Sequence, residues 1–337
     1  MFNKKIAVLW RRRRNIKMHE EFTGKKFKDD AFNEAMCHCT ALKEAGYYAE
    51  IVQWIPAEPA KTLHTIGKMN PDLVFNASSE QEVCFCETWG IPYAGSGIGL
   101  VPLDKATRKK IWAYHGIPTP RFITIWSQAD LHRISELLSG QNLGFPLFVK
   151  PVEGRGSSGI TENSIVGNES ELARECSKIL ENLRQPALIE EYIEGREIST
   201  GLIGNGSGIR ILPLLEIGYT GSATNTSAHK LNDKEELICP APLPRRQQEK
   251  IKELAVRAYR VLGARDYGRL DIMLKGSRPY FLELNTFAGI ALPNGKGSVQ
   301  DAKIHPSYMG KMAASLGKPQ SWLVASIAEA ALRRISA

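Results

Sequence analysis

Residues 267–290 read Y-G-R-L-D-I-M-L-K-G-S-R-P-Y-F-L-E-L-N-T-F-A-G-I. β-Branched, aromatic and aliphatic residues lie on both sides of the short polar segment 275–278, which is typical of two strands joined by a turn. Because side chains alternate between the two faces of a strand, Arg269 and Asp271 should share one face. We therefore predict a hairpin that carries charged and polar side chains on one surface.

The second strand of this hairpin places Glu283 and Asn285 on one face, while Leu282 and Leu284 point the other way. A register that pairs Asp271 with Glu283 puts two carboxylates, an amide and a guanidinium on the same surface. Carboxylates this close repel unless a positive charge lies between them, and such oxygen ligands suit Mg²⁺. The same pattern also fits an ordinary hairpin with a polar face toward solvent. Other segments of the chain are therefore needed to distinguish a metal site from such a hairpin.

A second segment has the composition of a phosphate-binding loop. The predicted strand 148–151 (F-V-K-P) runs through 152–153 into residues 154–159 (G-R-G-S-S-G). Three glycines and two serines let backbone N–H groups approach a phosphate closely, and Lys150 would add a positive charge. A Gly-rich loop alone is weak evidence, but a preceding strand that ends in Lys-Pro strengthens it.

Residues 269–273 (R-L-D-I-M) and 282–286 (L-E-L-N-T) resemble the C-terminal lobe of ATP-grasp enzymes, specifically the D-alanine–D-alanine ligase branch. The resemblance implies an α/β chain with the ATP-grasp fold, in which an N-terminal doubly wound α/β domain precedes two α+β lobes that clasp ATP. It implies domains at about 1–103, 104–189 and 190–337, with the magnesium site in the last. The expected cofactors are ATP and two Mg²⁺ ions, with Mn²⁺ as an alternative ion.

In that family an Asp, a Glu and an Asn hold the metal ions on the ATP phosphates, and an Arg steadies charge at the reacting carbon. The resemblance assigns the metal to Asp271, Glu283 and Asn285, and assigns catalysis to Arg269 and Lys230. Nucleotide binding is assigned to Lys105, Lys150, Gly156, Ser157, Ser158, Glu190, Glu197 and Lys230. Within that set, the resemblance implies that Glu190 and the backbone after it bind the edge of the adenine. It implies that Glu197 binds the ribose hydroxyls.

The two segments that bind the substrates in this family have different residues in this chain. After the first strand, where the family binds the first alanine's ammonium, this chain has Arg11-Arg12-Arg13-Arg14. Four adjacent guanidiniums repel one another, so they are either solvated on a surface loop or face an anion. Leu231 and Ala288 stand where the family has Tyr and Pro, and the Ser expected after Asn285 is missing.

The N-terminal part alternates strands and helices, which predicts a parallel sheet with crossover helices. Periodic apolar positions predict helices at about 30–45 and 247–262, and a further helix is predicted at 322–334. The predicted buried residues of the first two helices are Ala31, Phe32, Ala35 and Leu42, then Ile251, Leu254, Ala258 and Val261. The predicted strands of the N-terminal domain are 6–10, 49–52 and 72–76.

Four cysteines in this domain form two C-x-C pairs, Cys37/Cys39 and Cys84/Cys86. With His38 they could hold zinc, but residues two apart on a helix point in different directions. Buried free cysteines are therefore the favoured interpretation, and zinc is the alternative.

The composition is that of an ordinary globular protein, with 24% charged residues and a net charge of +8. The positive charge suits polyanionic substrates, and no nucleic-acid-binding motif accompanies it. No apolar run has the length of a membrane span, the N-terminus lacks the apolar core of a signal peptide, and the cysteines are few. These features predict a cytoplasmic protein without nucleic-acid or membrane partners.

The predicted activity is ATP-dependent ligation of a carboxylate to an amine through an acyl phosphate. The departures favour small-molecule substrates other than two D-alanines. A divergent D-alanine–D-alanine ligase is the first alternative. The second is a nucleotide-binding regulatory protein without catalysis, which the intact metal and lysine positions argue against. A homodimer is possible.

Overall fold

The computed structural model describes residues 4–11, 31–76, 79–154, 159–219, 235–291 and 307–337. Within these ranges the chain forms three β-sheets with helices packed against them. The strands are β1 (Lys5–Trp10), β2 (Tyr48–Gln53), β3 (Leu73–Asn76), β4 (Tyr93–Ala94), β5 (Phe122–Ile125), β6 (Leu147–Pro151), β7 (Ile165–Val166), β8 (Ala187–Glu191), β9 (Arg196–Ile203), β10 (Arg210–Ile211), β11 (Leu215–Tyr219), β12 (Glu235–Ile238), β13 (Tyr267–Lys275) and β14 (Arg278–Asn285). The helices are α1 (Ala31–Glu44), α2 (Pro59–Met69), α3 (Glu80–Thr88), α4 (Lys105–Tyr114), α5 (Gln128–Leu131), α6 (Ile134–Gly140), α7 (Glu169–Lys178), α8 (Arg245–Val261), α9 (Tyr308–Ser315) and α10 (Gln320–Ile335).

The first sheet has the strand order β2-β1-β3-β4, and its paired strands run parallel. Helices α1, α2 and α3 each lie between consecutive strands in the chain, as parallel connections require. Ile6 and Val8 pack into one apolar cluster, while Ala7 and Leu9 pack into another. Both faces of the sheet are therefore covered, and the predicted doubly wound α/β domain is confirmed.

Helix α1 buries Ala31, Ala35 and Leu42 as predicted, but Phe32 is 45% exposed. Consecutive helical residues are rotated by about 100°, which takes Phe32 off the stripe that contains Ala31. Its ring instead contacts Trp10 at the end of β1, with ring centroids 5.1 Å apart. The prediction that Phe32 belongs to the buried stripe was wrong.

Helix α10 confirms the helix predicted near the C-terminus, and it packs across the chain onto the first sheet. Its residues Leu323 and Ile327 share one apolar cluster with Ile6 and Leu42. The same cluster includes Ile203 of β9, so α10 lies between the first sheet and the third. The predicted domain limits near 103 and 189 stay predictions.

The second sheet has the order β5-β8-β6-β7, and the third has β12-β11-β9-β13-β14 with β10 beside β9. Pairing in both is antiparallel. The β13–β14 hairpin turns at Gly276 and Ser277, and its register places Asp271 opposite Glu283. A β-bulge follows between Asp271 and Ile272. The predicted hairpin and register are confirmed.

Helix α8 packs its apolar face against this third sheet. Ile251, Leu254 and Ala258 are buried as predicted, whereas Val261 is only partly buried in the last turn of the helix. Tyr259 is fully buried instead, and its hydroxyl lies 3.5 Å from the carbonyl oxygen of Gly204, the residue after β9. The prediction that Val261 is buried was therefore wrong, since this residue is only partly buried.

None of the helices described has the length and apolar character needed to cross a membrane.

The four cysteines of the C-x-C pairs do not converge. Cys39 packs in the cluster on the Ile6 side of the first sheet, and Cys86 packs in the cluster on the Leu9 side. Cys84 is exposed, contrary to the expectation that these thiols are buried. Among the residues described, no group of three or more His, Cys, Asp or Glu side chains could hold a metal ion, so zinc binding by this set is not supported.

His38 of α1 is buried, with 5% of its surface exposed. The centroid of its ring lies 5.7 Å from that of Phe75, which belongs to the apolar cluster on the Ile6 side of the first sheet. Neither ring nitrogen has a hydrogen-bond partner within the ranges that the structure describes. Burial lowers the pKa of His38 to about 4, because the charged imidazolium would be desolvated. The folded protein therefore holds His38 neutral.

We expect this histidine to make the fold sensitive to acid. In the unfolded chain His38 takes up a proton near its ordinary pKa of 6.5, whereas in the folded chain it does so only near pH 4. The free energy of unfolding should therefore fall by about 3 kcal/mol as the pH drops from 6.5 to 4. Urea unfolding of the wild type and of His38→Met at several pH values measures this loss. Parallel pH dependences in the two proteins would contradict the assignment.

Candidate functional site

Four polar side chains from the β13–β14 hairpin lie together on one face of the third sheet. Arg269 and Asp271 come from β13, and Glu283 and Asn285 come from β14. The cross-strand pairs Arg269–Asn285 and Asp271–Glu283 place them side by side. The bulge after Asp271 shifts the register of the rest of the hairpin without separating these two pairs.

Asp271 accepts four hydrogen bonds from side chains within the described ranges. Its Oδ1 accepts from Arg269 Nε at 2.9 Å and from Ser199 Oγ at 2.8 Å. Its Oδ2 accepts from Arg269 Nη2 and from Asn285 Nδ2, both at 2.8 Å. A carboxylate offers about four acceptor positions, so these donors match its capacity. They supply the hydrogen bonds that a carboxylate only 7% exposed needs in order to be buried.

Asn285 bridges the two carboxylates. Its Nδ2 donates to Asp271 Oδ2 at 2.8 Å and, with a longer contact of 3.4 Å, to Glu283 Oε1. The amide hydrogens therefore offset part of the repulsion between two like charges that face each other across the hairpin.

Arg269 carries the positive charge of this face. Burial opposes that charge, but the Asp271 carboxylate beside it outweighs burial and raises the pKa of Arg269 above its ordinary value. The guanidinium also lies over the ring of Tyr308, 4.8 Å from its centroid. The Tyr308 hydroxyl in turn donates to Glu235 Oε2 at 2.8 Å, which fixes the ring.

Ser199 and Tyr308 were not singled out from the sequence. Ser199 lies two residues after Glu197 on β9, so strand alternation could have placed it on the same face. Tyr308 begins α9, and only the tertiary packing of α9 on β9 brings it to Arg269.

Two of the predicted phosphate-binding lysines lie within the described ranges: Lys105 lies beside the Gly-rich segment, and Lys150 lies against a separate buried carboxylate, Glu190. Lys105, the first residue of α4, donates to the Gly154 carbonyl oxygen at 2.8 Å. Burial lowers the pKa of Lys105 to about 8, with Lys150 adding to that effect and the Glu283 carboxylate opposing it. The influence of Glu283 links this lysine to the acidic face of the hairpin.

Lys150 and Glu190 form a buried ion pair, with Lys150 Nζ 2.7 Å from Glu190 Oε2. The other oxygen, Oε1, lies 2.7 Å from Nζ of Lys109, a residue that the sequence analysis passed over. Burial opposes the charge of Glu190, but the two ammonium groups hold its pKa below the ordinary value. The spacing of four residues between Lys105 and Lys109 was the available signal, because it puts both on one helix face.

The adenine contact predicted for Glu190 stays a prediction, and the structure places its carboxylate between two lysines instead of leaving it exposed. Glu197 is buried on β9, paired with Met273 of β13, and so lies on the sheet face that carries Asp271. Its predicted contact with the ribose also stays a prediction.

The ends of the Gly-rich segment are defined by Gly154 and Gly159, whose φ angles are 103° and 76°. A Cβ on Gly159 would lie 2.4 Å from Cγ of Pro151, so this position has room only for glycine without local rearrangement.

Several residues assigned from the sequence fall outside the described ranges, namely Arg12, Arg13, Arg14, Gly156, Ser157, Ser158, Lys230 and Leu231.

A cavity of about 470 Å³ joins the lysine side to the acidic side. Lys105 and Gly154 line one wall, and Glu283, Asn285 and Phe287 line the other. The lining also includes the cation Arg108 and the carboxylates Asp104 and Glu153, so positive groups that can hold a polyanion and oxygen ligands that can hold a cation share one cavity.

The donor set of the acidic wall fits Mg²⁺. Two carboxylates and one amide oxygen are hard oxygen ligands, which this ion prefers. Glu283 and Asn285 line the cavity directly, whereas Asp271 already accepts from four donors among the described residues. An ion that binds Asp271 would therefore take the place of one of those donors.

Arg11 is the one member of the arginine run within the described ranges. Its Nη1 donates to Gln81 Oε1 of α3 at 2.6 Å. The contact joins the carboxyl end of β1 to the helix that follows β3, at the edge where parallel sheets bind ligands. Arg11 therefore lies at the carboxyl edge of the first sheet, and the role of the arginine run stays a prediction.

Comparison with known proteins agrees with this arrangement. Residues 111–292 match the family model described as the D-ala D-ala ligase C-terminus. A solved D-alanine–D-alanine ligase from Bacillus anthracis, complexed with ATP, superposes with a TM-score of 0.72 at 26% identity over 98% of each chain.

Two relatives carry the same name. The D-alanine–D-alanine ligase of Bordetella avium is 34% identical over 276 residues, which are 81% of this chain and 78% of that protein. That of Ralstonia pickettii is 36% identical over 208 residues, which are 60% of each protein, so this second match spans three fifths of its relative. The chain therefore belongs to the D-alanine–D-alanine ligase family of ATP-dependent ligases, with the ATP-grasp fold that its hairpin and lysine motifs resemble.

Proposed function

We propose that this protein is an ATP-dependent ligase that joins a carboxylate to an amine through an acyl phosphate. The observation that carries the proposal is the shared cavity, in which Lys105 faces Glu283 and Asn285. Membership in the family supports ATP as the phosphoryl donor. The two Mg²⁺ ions, the cytoplasmic location and a possible homodimer stay predictions.

In the proposed reaction, an oxygen of the substrate carboxylate attacks the γ-phosphorus of ATP, and ADP leaves. The amine nitrogen of the second substrate then attacks the acyl carbon, the bond from that carbon to the phosphate oxygen breaks, and the nitrogen loses a proton. Lys105 and Lys150 would hold the phosphates as fixed positive charges. Bound Mg²⁺ would neutralise the phosphate oxygens, and Asp271, Glu283 and Asn285 are the residues that would hold it.

Arg269 is proposed to stabilise negative charge on the carbonyl oxygen when the amine attacks. Its Nε and Nη2 bind Asp271, so Nη1 is the nitrogen that we assign to this oxygen. Asp271 and the Tyr308 ring fix the guanidinium in advance, which is the condition for effective stabilisation of a developing charge. Lys230 is proposed to act on the γ-phosphate from the segment that precedes β12.

The proposed substrates differ from two D-alanines on at least one side. The motif departures at Arg11–Arg14, Leu231 and Ala288 support this proposal. Ala288 is buried, and its neighbour Phe287 lines the cavity next to Asn285. An apolar ring then lies where the family's carboxylate-binding segment follows the Asn, so a different acceptor substrate is favoured.

D-Alanine–D-alanine ligation is the second candidate, because the relatives named above carry that activity in their names. Incubation with ATP, Mg²⁺ and D-alanine alone, followed by mass spectrometry, decides between the two. An ADP-release screen across amino acids and small acids then identifies other substrates. Formation of D-alanyl-D-alanine at a rate that no other substrate exceeds would overturn the proposed substrate difference. Failure of every substrate to release ADP would favour the nucleotide-binding regulatory protein.

The Glu283→Gln variant should lose ADP release at every Mg²⁺ concentration and keep its melting temperature. Glu283 contributes a carboxylate to the metal, and removing one of two repelling charges does not weaken the fold. Asp271→Asn should also lose activity, but it breaks the buried pair with Arg269 and should cost about 3–5 kcal/mol of stability. Glu253→Gln, on the exposed face of α8, is the matched control. Near-normal ADP release by Glu283→Gln would remove this residue from the metal site.

The affinity for ADP should weaken as the pH rises above about 8, where Lys105 loses its proton. The dissociation constant should approach a tenfold increase per pH unit, since one positive charge facing the phosphates is lost. Lys105→Arg should retain affinity to higher pH, because a guanidinium stays protonated. Titration calorimetry between pH 7 and 9.5 measures both proteins. If the two profiles coincide, the titrating group is not Lys105.

A further inference from the structure

Lys109 lies one turn after Lys105 on α4, and its side chain is fully buried. Its Nζ lies 2.7 Å from Glu190 Oε1, 2.8 Å from Thr119 Oγ1 and 3.4 Å from the Phe281 carbonyl oxygen. The Thr119 hydroxyl donates its own hydrogen to that carbonyl at 2.8 Å, so toward Lys109 it acts as an acceptor. Three acceptors around one nitrogen are the environment of a protonated ammonium group.

The charges around Glu190 are unequal. Glu190 is flanked by Lys109 on one oxygen and Lys150 on the other, and all three side chains are at most 7% exposed. Two positive charges and one negative charge leave a net positive charge in a buried place, which is costly unless an anion binds there. Without Lys109, Glu190 and Lys150 would form a neutral pair.

Lys109 also connects the lysine side to the acidic hairpin. The Phe281 carbonyl that it contacts belongs to β14, two residues before Glu283. One turn further along α4, Trp112 donates from Nε1 to the Ala258 carbonyl oxygen at 2.9 Å, which anchors the helix on α8. The ammonium of Lys109 is thus held between α4, β8 and β14.

We propose that Lys109 is a positioning residue for nucleotide phosphates: it neutralises and orients the Glu190 carboxylate, so that the charge of Lys150 remains available to the phosphates. The inference rests on the proposed function, because it takes ADP or ATP as the ligand. Burial lowers the pKa of Lys109 to about 8, which keeps it charged at neutral pH, as this role requires.

Titration calorimetry with ADP and with adenosine tests the proposal, because only ADP carries phosphates. The dissociation constant of ADP should rise about tenfold or more in Lys109→Met, since Glu190 then neutralises Lys150 and the charge-assisted contact of Lys150 with the phosphates is weakened. The dissociation constant of adenosine should not change. Lys110→Met, which removes an exposed lysine from the same helix, should bind both ligands as the wild type does.

A second substitution tests whether Lys109 acts through Glu190. Lys109→Met leaves a neutral Glu190–Lys150 pair, whereas Lys109→Met with Glu190→Gln leaves Lys150 charged and unpaired. We expect the double variant to bind ADP more tightly than the single variant does. Because the double variant leaves the buried Lys150 without its partner, the melting temperature of each variant is measured first and the calorimetry is done below it.

Three results would overturn the proposal. These are unchanged ADP affinity in Lys109→Met, an equal loss of adenosine affinity, and no recovery in the double variant. If neither variant folds, Lys109 is a structural residue and the proposal fails. A wild type that binds no ADP would overturn the proposed function itself. A wild type that binds ADP, with variants that bind it equally well, would overturn only the role of Lys109.

Discussion

Asp271 and Glu283 face each other across an antiparallel hairpin, and two like charges in that position destabilise a sheet unless other groups offset them. Arg269 supplies the opposite charge in a two-point contact, and Asn285 places amide hydrogens toward both carboxylates. The acidic face is therefore stable in the protein alone, and Glu283 and Asn285 can still line the cavity.

A lysine cluster on the Lys105 side of the cavity carries an excess of positive charge. Lys105 lines the cavity, and behind it Lys109 and Lys150 flank a single buried carboxylate, Glu190. The lysine cluster and the hairpin face thus have opposite charges that a ligand between them would neutralise. A nucleotide that brings its phosphates to the lysines and a cation to the carboxylates satisfies both, which is the physical basis of the proposed ligase activity.

A third group of contacts fixes the hairpin relative to the rest of the chain. Asp266, immediately before β13, is fully buried and accepts from the Gly95 backbone N–H at 2.8 Å and from Asn205 Nδ2 at 2.9 Å. Arg334 of α10 donates to both of its oxygens, at 3.0 and 2.8 Å. One carboxylate therefore connects the first sheet, the β13–β14 hairpin and the C-terminal helix.

The sequence by itself determined the hairpin, its register and the doubly wound first domain, because strand alternation and helix periodicity are local properties that follow from backbone geometry. Tertiary structure decided the rest. The stacking of Tyr308 on Arg269, the use of α10 to cover the first sheet and the placement of Lys109 against Glu190 join residues that are far apart in the chain. No local pattern specifies such contacts, since they depend on how separate elements pack and on which buried charges then find a partner.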